Sequence, residues 1–413
     1  MSGVVVPDGW TQGFLVDFID VNPTVKIDKN IIYPFIEMDA VPFDGKQANY
    51  VTYRFGSEAG MKFKYKDTLL ARITPSAENG KSLYVLDNLE IGIGSTEFIV
   101  FRGKKIDSEF VFYLITSDYV RPKSIALMEG TSGRQRIPNN IYKDKIQILI
   151  PKEKKEQEKI AKILSTLDKN IENTSKIIEK EKNIKKALMQ ELLTNGIDKN
   201  NKIRSPKTHS YKQSKLGLIP EEWEVKKVCH LSKTFAGGTP NRENSNYYNG
   251  IIPWVKSGEV NQPIITKTEE AITQDGLNNS SAKFVEKGTI LVAMYGATAG
   301  KIALLKIKAT TNQAVLAVPL KNDDILFIIN MLEQHMSKLV FQAQGSGQPN
   351  LSKQMVDSML ISVPPITEQK QIAKILNTQD KKIESEQKNL SKLQELKKGL
   401  MSDLLSGRVR VKV

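Results

Sequence analysis

The sequence predicts an α+β protein made by internal duplication: two similar globular α/β domains joined by two long helices that pair antiparallel as a coiled coil. The segment EQEKIAKILSTLDKNIE, which begins at Glu156, recurs as EQKQIAKILNTQDKKIE from Glu368, and 20 of 38 positions are identical over a gapless stretch. Strand-like segments precede each copy, and an apolar heptad runs along both. The repeat period is about half of the chain, which indicates two copies of one unit related by an internal pseudo-twofold rather than a solenoid.

The first globular domain is predicted over residues 1–152, where short apolar segments alternate with turns. Strands are expected at FLVDFIDV, YPFIEM, DTLLARI, SLYVL, EFIVF and IQILIP, with a helix around Glu109–Thr116. The second domain, predicted over residues 218–365, has strands between Ile251 and Leu320, a helix around Ile325–Gln342 and a last strand at MLISVP. The offset between matching segments, such as VPDGW with IPEEW and KDTLLARI with KGTILVAM, drifts along the domains, which indicates insertions in the loops of one shared fold.

Residues 153–195 and 366–413 contain the two predicted long helices, and residues 196–217 form a polar linker. At about 1.5 Å per residue each helix is about 55–60 Å long and cannot bury its apolar seam on itself. We expect the helices to pair antiparallel and to hold the domains at opposite ends; the alternative is that each lies on its own domain. The predicted seam consists of Ile160, Leu164, Leu167, Ile171, Ile178, Leu188 and Leu192, facing Ile372, Leu376, Ile383, Leu390, Leu393, Leu400 and Leu404.

The formal net charge of +14 is concentrated in the helices and the linker. Residues 151–220 carry +8 and residues 361–413 carry +5, whereas residues 1–150 are neutral and residues 221–360 carry +1. A basic chain favours a polyanionic partner such as nucleic acid, although a solvated lysine-rich helix face explains the excess equally well. The single Cys229 predicts no disulfide framework and fits a reducing cytoplasm, and no apolar run is long enough to predict export or a membrane span.

Sequence motifs for catalysis are missing from the chain. There is no G-x-G-x-x-G after a strand, no G-x-x-x-x-G-K-[ST] and no Asn-Pro-Pro-aromatic motif. The histidines are isolated, and the Cys229–His230 pair has no second pair to complete a metal site. The sequence therefore favours a non-catalytic binding protein without a metal or cofactor of its own.

Several motifs together carry a family resemblance. The helices open with Pro-x-x-Glu-Gln-like sequence, PPITEQKQIAKIL from Pro364 and PKEKKEQEKIAKIL from Pro151, and the second domain has the lead-in LGLIPEEW and the loop GSGQPNLS at 345–352. In this combination the whole chain resembles the DNA specificity subunit of type I restriction-modification systems. The first domain departs in detail, with GTSGRQRI at 130–137 in place of GSGQPNLS and no counterpart of the GGTP at 237–240.

The resemblance implies a function and a set of partners. Each globular domain would be a target recognition domain that reads one half of a bipartite, asymmetric site on double-stranded DNA. The helices would act as a spacer and bind two modification (methyltransferase) subunits, which hold S-adenosylmethionine and methylate adenine. Restriction subunits would add ATP- and Mg-dependent translocation and cleavage, and the chain itself would be non-catalytic.

Candidate DNA-binding residues lie in loops, because reading DNA needs side chains that bond to base edges together with cations on phosphates. Asn and Gly also serve turns and Tyr also packs in cores, so each position has a structural alternative; the three tryptophans Trp10, Trp223 and Trp254 are predicted as core. In the first domain the candidates are Arg72, Arg134, Gln135 and Arg136. In the second domain they are Asn241, Arg242, Asn244, Asn246, Tyr247, Tyr248 and Lys256, with Gln348 and Asn350 in the glycine-rich loop.

Two other classes of function remain open from the sequence. The chain could be an assembly scaffold that does not bind DNA, and divergence of two end domains disfavours this because scaffolding does not require it. It could be a free-standing enzyme acting on nucleic acid, and the missing catalytic motifs disfavour that.

Overall fold

The structure, a computed structural model, describes residues 6–43, 45–86, 89–131, 133–343 and 349–412. Two compact units make up the chain: unit 1 comprises Met1–Lys176 and Gln387–Val413, and unit 2 comprises Ile177–Glu386. Each unit therefore contains one globular domain and one half of each long helix.

The globular domain of unit 1 is built from ten strands and four short helices in the part of the chain that the structure describes. The strands are β1 (Trp10–Phe14), β2 (Ile19–Val21), β3 (Ile32–Ile36), β4 (Thr52–Phe55), β5 (Met61–Lys64), β6 (Thr68–Ala71), β7 (Ser82–Tyr84), β8 (Ile91–Gly94), β9 (Phe98–Gly103) and β10 (Gln147–Pro151). The helices are α1 (Leu15–Phe18), α2 (Ser108–Thr116), α3 (Arg121–Ala126) and α4 (Ile141–Asp144), and the long helix α5 (Lys154–Asn195) follows.

Unit 2 repeats this plan with additions. Its strands are β11 (Tyr211–Ser214), β12 (Gly217–Pro220), β13 (Glu224–Lys227), β14 (Phe235–Ala236), β15 (Tyr248–Val255), β16 (Ile264–Ile265), β17 (Glu270–Ile272), β18 (Phe284–Val285), β19 (Ile290–Ala293), β20 (Ile302–Leu305), β21 (Ala309–Thr311), β22 (Val315–Val318) and β23 (Leu360–Val363). Its helices are α6 (Val228–Leu231), α7 (Gln274–Asn278), α8 (Ile325–Ala343), α9 (Lys353–Ser358) and the long α10 (Ile366–Leu405).

The strand order confirms the predicted duplication. Unit 1 contains sheets ordered β4-β3-β8-β5 and β2-β9-β6-β7, and unit 2 contains β17-β15-β21-β18 and β14-β22-β19-β20-β16. The central pairs β3–β8 and β15–β21 are both parallel, and in each the neighbouring edge strand is antiparallel. In each unit a strand at the start of the domain pairs with the strand that leads into the long helix, β1 with β10 and β13 with β23.

Apolar side chains of the domain and of the helix ends share one core in each unit. In unit 1 the aromatic side chains of α2 pack with Ile160, Leu164 and Leu404 of the long helices. In unit 2 Leu192, Ile372 and Leu376 pack into the cluster that contains α8 and Trp223. The prediction that all three tryptophans are core residues is confirmed, because Trp10, Trp223 and Trp254 are 2%, 0% and 1% exposed.

The Gln of the repeated Glu-Gln pair joins each long helix to its domain. Gln157 accepts a hydrogen bond from the backbone N–H of Asp107 (2.8 Å) and donates to the carbonyl of Pro151 (2.8 Å). Gln369 does the same with the N–H of Asp324 (2.8 Å) and the carbonyl of Pro364 (3.0 Å). Asp107 also caps α2, and Asp324 also caps α8. The side-chain amide of each Gln therefore fixes where the long helix begins relative to the domain core.

The Glu of the same pair receives an arginine from the segment that follows the other long helix. Arg410 forms a bidentate ion pair with Glu156, with distances of 2.8 and 2.9 Å. Arg204 forms the corresponding pair with Glu368, with distances of 2.5 and 3.2 Å. We call these two ion pairs the anchors of unit 1 and unit 2.

Within each unit the two helix halves run antiparallel. In unit 1 Lys397, late in α10, lies 2.6 Å from Asp168, early in α5. In unit 2 the order is reversed, since Lys185, late in α5, lies 2.6 Å from Asp380, early in α10. Lys185 matches Lys397 and Asp168 matches Asp380 in the gapless repeat, so the antiparallel prediction is confirmed and the contact is duplicated.

The predicted seam is buried most deeply at the helix ends. Ile160, Leu164, Leu192, Ile372, Leu376 and Leu404 are at most 3% exposed, while Leu167, Ile178 and Ile383 are 7–8% exposed. The remaining seam positions are half-buried: Ile171, Leu188, Leu390, Leu393 and Leu400. The direct pairing of these middle side chains with each other stays a prediction.

Three expectations need correction or completion. FLVDFIDV is not one strand, because the helical turn α1 separates β1 from β2. The strands β4, β5 and β8 escaped the sequence interpretation; each is short, and Gly92 and Gly94 interrupt the apolar pattern of β8. Part of the linker is ordered: Asp198 accepts hydrogen bonds from two backbone N–H groups, Ile197 bridges Ile203, and β11 forms a hairpin with β12. The predicted domain limits stay a prediction.

Candidate DNA interface

The predicted residues of unit 2 meet around one buried ring. The guanidinium of Arg242 lies 4.8 Å from the ring centre of Trp254 and 4.5 Å from that of Tyr248. The indole of Trp254 is held in place because its Nε1 donates a hydrogen bond to the carbonyl of Gly238 (3.0 Å). Arg242 is half exposed, so a cation rests on an aromatic platform with one edge toward solvent.

A carboxylate cluster holds the cations beside that platform. Glu270 lies 2.6 Å from Arg242 and 3.0 Å from Lys256, and Glu269 lies 2.9 Å from Lys256. The hydrogen bond from Arg242 lowers the pKa of Glu270, and the hydrogen bond to Glu269 raises the pKa of Lys256. Both shifts favour the charged forms of Glu270 and Lys256, and a polyanion that bound here would have to displace the carboxylates from the cations.

The GGTP segment positions this cluster. A Cβ on Gly237 would lie 2.0 Å from the carbonyl oxygen of Thr311, and one on Gly238 would lie 2.3 Å from the backbone nitrogen of Ala282. Only glycine allows the chain to pass this close to the neighbouring backbone. The close approach brings the carbonyl of Gly238 to the indole and places the loop that carries Arg242 over the ring.

The three candidate asparagines in the loop before β15 form hydrogen bonds that stabilise the local structure. Asn241 accepts a hydrogen bond from the N–H of Glu243 (3.0 Å), and Asn244 accepts one from that of Asn246 (3.1 Å), as in Asx turns. The backbone carbonyl of Asn246 accepts a bond from Thr273 (2.8 Å), and its side chain is exposed. The tyrosines are half-buried, and the Tyr248 hydroxyl donates to the carbonyl of Pro240 (2.6 Å). Asn241 and Asn244 thus serve turns, although Asn241 is exposed and Asn244 half-exposed, and their contact with DNA stays a prediction.

The glycine-rich loop is only partly described. Gln348 lies outside the described residues. Asn350 is exposed and forms a backbone bridge with Tyr295, just beyond the end of β19.

The predicted residues of unit 1 meet at the matching place, beyond β6. Arg136 bridges Ile73, and Gln135 exchanges hydrogen bonds with Thr74, so the segment 134–136 lies against the residues that follow Arg72. Glu97 receives a bidentate ion pair from Arg136, with the closest approach at 2.8 Å. Arg134 is exposed, whereas the Nε of Arg72 is buried without a hydrogen-bond partner among the described residues.

The structure thus brings the predicted residues of the first unit together in one loop cluster, and those of the second unit into a ring cluster and a separate loop. Sequence reasoning missed the carboxylates that hold both arginines. Glu97 lies 39 residues from Arg136, and Glu270 lies 28 residues from Arg242. No local pattern links positions so far apart, and only the tertiary fold brings them together.

Among the described residues, no group of three His, Cys, Asp or Glu side chains is placed to hold a metal ion. Nor, in the same part of the chain, is any helix long and apolar enough to cross a membrane.

The chain thus contains one fold twice, with a different cluster of charged side chains in each copy. The profile of the type I restriction modification DNA specificity domain matches this chain twice, at residues 7–182 and 220–395. The chain therefore belongs to the type I restriction-modification DNA specificity family, as the sequence motifs predicted.

Relatives of full length support the same family. The chain is 27% identical over 442 residues to the type I restriction enzyme MjaVIII specificity subunit of Methanocaldococcus jannaschii, covering 100% of this chain and 96% of the relative. It is 25% identical over 420 residues to the putative MjaX specificity subunit of the same organism, covering 98% and 95%.

Solved structures show the same fold. The type I restriction-modification S subunit from M. genitalium matches with a TM-score of 0.59 at 17% identity, over 98% of both chains. A chain from a structural study of complex assembly in a type I restriction-modification system matches with a TM-score of 0.61 at 17% identity, over 98% of this chain and 100% of that one.

Proposed function

We propose that this chain is the DNA specificity subunit of a type I restriction-modification complex, in which each unit reads one half of a bipartite, asymmetric site. The observation that carries the proposal is the duplication itself. The helix anchors recur in both units and the strand order repeats, with β16 and the β11–β12 hairpin added in unit 2, whereas the charged loops differ. Two copies of one scaffold with different loops suit the reading of two different short sequences on one duplex.

The DNA-contacting residues are assigned to the clusters described above. In unit 1 they are Arg134, Gln135 and Arg136, with Arg72 behind them. In unit 2 they are Arg242 and Lys256 at the ring, with Asn241, Tyr247 and Tyr248 in the same loop region, and Asn350 in the separate glycine-rich loop. Gln348, outside the described residues, is kept as a candidate from the sequence. Arginine and amide side chains form paired hydrogen bonds with base edges in the major groove, and the same cations neutralise phosphates.

The chemistry belongs to partner subunits in this proposal. The relatives named above are specificity subunits of type I restriction enzymes. By analogy, modification subunits with S-adenosylmethionine methylate adenine, restriction subunits use ATP and Mg, and this chain positions them on DNA without a catalytic residue of its own.

The long helices offer two equivalent surfaces to the modification subunits. Ile184 on α5 and Leu396 on α10 are matching positions of the repeat, and their side chains are 37% and 50% exposed. Both lie one position from a lysine of the duplicated ion pairs, Lys185 or Lys397. An exposed apolar side chain beside a lysine, repeated in each unit, supports two copies of one partner rather than one.

The test is methylation sequencing of a host that carries the whole operon, with a host that lacks the gene for this chain as the control. The expected result is methylated adenine in a motif of two short blocks separated by a fixed gap, and only when this chain is present. Methylation that persists without the chain, or a complex without sequence preference, contradicts the proposal.

A further inference from the structure

We propose that Arg54, in unit 1, contacts DNA from the position that Arg242 occupies in unit 2. Arg54 did not stand out in the sequence, where it is a lone arginine between Tyr53 and Phe55. The inference rests on the proposed function and deepens it, because it adds a second contact point to the recognition surface of unit 1.

The ring beneath each arginine occupies the same place in the fold. Phe35 on β3 is the first residue of the parallel pairing with β8, where it faces Ile93. Trp254 on β15 is the first residue of the equivalent pairing with β21, where it faces Thr310. Both rings are buried, at 4% and 1% exposure.

An arginine lies on each ring. The guanidinium carbon of Arg54 is 3.7 Å from the ring centre of Phe35, and that of Arg242 is 4.8 Å from the ring centre of Trp254. Each arginine also pairs with a neighbouring carboxylate, Arg54 with Glu37 at 3.4 Å and Arg242 with Glu270 at 2.6 Å.

The two units build this arrangement from different parts of the chain. Arg54 comes from the edge strand β4, whereas Arg242 comes from the loop before β15. The carboxylate also comes from a different place in each unit. In unit 1 it is Glu37, which follows β3. In unit 2 the matching position after β15 is Lys256, and the carboxylate is Glu270 on the edge strand β17. The arrangement is thus the same although none of its polar residues occupies an equivalent position, which points to a requirement for the arginine itself.

Stability alone does not account for that requirement. The side chains of Arg54 and Glu37 are both 38% exposed, and ion pairs this exposed contribute little to folding. A guanidinium lying on a ring keeps its plane and position, and the N–H donors of Arg54 that Glu37 and Glu58 do not take can bond to a ligand. A fixed, planar set of donors fits the edge of a guanine or a backbone phosphate of duplex DNA.

The experiment compares Arg54→Ala with Arg242→Ala in the assembled complex of this chain with its modification subunits. The probe is a fluorescent duplex that carries the motif found by methylation sequencing, together with duplexes in which one half-site is scrambled. Lys123→Ala is the matched control, because Lys123 lies 3.6 Å from the ring centre of Tyr119 in the same unit and is exposed but is not at the duplicated position. Thermal unfolding of each variant reports on folding separately.

Arg54→Ala is expected to weaken binding about 5- to 100-fold, the loss typical of one arginine contact, without a shift in the unfolding temperature beyond that of the control. On the duplex whose first half-site is scrambled, Arg54→Ala should bind as the wild type does. On the duplex whose second half-site is scrambled, Arg242→Ala should bind as the wild type does. If the wild-type complex binds its motif and Arg54→Ala binds it with the same affinity, this inference alone is overturned. A wild-type complex without preference for any motif overturns the proposed function with it.

Discussion

The two anchors differ in what surrounds them, although both join a helix-start glutamate to an arginine beyond the other helix. In unit 2 Glu368 also accepts hydrogen bonds from the N–H of Ile197 (2.9 Å) and the indole of Trp223 (3.2 Å), and the Arg204 side chain is 10% exposed. In unit 1 the Arg410 side chain is 42% exposed, and the indole Nε1 of Trp10 has no hydrogen-bond partner in the described part of the chain.

The difference follows from what surrounds each arginine. The linker around Arg204 is ordered, since the Arg204 N–H donates to the carbonyl of Gly196 (3.3 Å) and Ile197 bridges Ile203. The segment around Arg410 is held by a bond from the Val409 N–H to the carbonyl of Asp403 and by Lys159, which donates to the carbonyl of Lys412. Duplicated residues thus have unequal energetic weight, because water screens the exposed ion pair more than the buried one.

Removal of the anchors should give the largest effect and an unequal one. Arg204→Ala leaves Glu368 buried without its cation, and we expect a loss of about 3 kcal/mol or more in the free energy of unfolding of unit 2. Arg410→Ala should cost less, because the Arg410 side chain is 42% exposed and water already screens its ion pair with Glu156. Denaturant unfolding combined with hydrogen exchange distinguishes the units, and Lys176→Ala, in an exposed pair within α5, is the control. Equal losses for the two anchors would contradict the comparison.

Substitution of a proposed partner-binding residue should have the same effect in either unit, unlike removal of an anchor. Ile184→Asp and Leu396→Asp each place a charge in one of the two proposed apolar patches, and each should weaken binding of one modification subunit by about 2 kcal/mol. Native mass spectrometry is expected to show complexes with one modification subunit for each single variant and none for the double variant. A wild-type complex that holds a single modification subunit at saturation would rule out the two-site proposal.

Substitutions of the proposed DNA-contacting residues should affect a different half-site in each unit. Arg242→Ala should cost about 1–3 kcal/mol at one position of the second half-site, and Arg136→Ala should weaken discrimination only within the first. Binding to duplexes with single base-pair changes in each half measures both. Loss of discrimination in the wrong half, from either variant, contradicts the assignment of one half-site to one unit.

The smallest expected effect is a pH dependence confined to unit 2, which contains all three histidines of the sequence. Burial lowers the pKa of His335 below its ordinary value of 6.5, so the folded state binds its proton less readily than the unfolded state. Stability from this group is complete above pH 6.5 and declines as pH falls through 6.5 toward the lower folded pKa. Hydrogen exchange of α8 at pH 7.5 and 5.5, corrected for intrinsic rates, should show lower protection in acid. His335→Gln should abolish or reverse the difference, because burial raises the pKa of Glu333 in the same helix and its protonation acts in the opposite direction.

The sequence predicted those features that repeat along the chain. The gapless copy of the helix sequence predicted α5 and α10 to within a residue at most ends, and the matched heptads together with the linker predicted their antiparallel pairing. The burial of the three tryptophans was also predicted. In each case the signal is a period or a matching segment that can be read without knowing the strand register.

What escaped prediction depends on contacts distant in sequence. Glu270 meets Arg242 because β17 pairs with β15, and Arg54 meets Phe35 because β4 pairs with β3. The anchors escaped for the same reason, since Arg410 and Glu156 are 254 residues apart. Short edge strands with few apolar residues carry little signal of their own, and their pairing is set by the rest of the sheet.

The most direct test of the central claim, that each unit reads its own half-site, is a domain exchange read by methylation sequencing. Residues 1–150 are replaced by the matching segment of a relative with a different motif, and the chimaera is expressed with the modification subunits. The account predicts that one half-site changes to that of the relative while the other half-site and the gap, set by the helices, stay the same. A change in both half-sites, or a complex that binds without sequence preference at moderate salt, would contradict it.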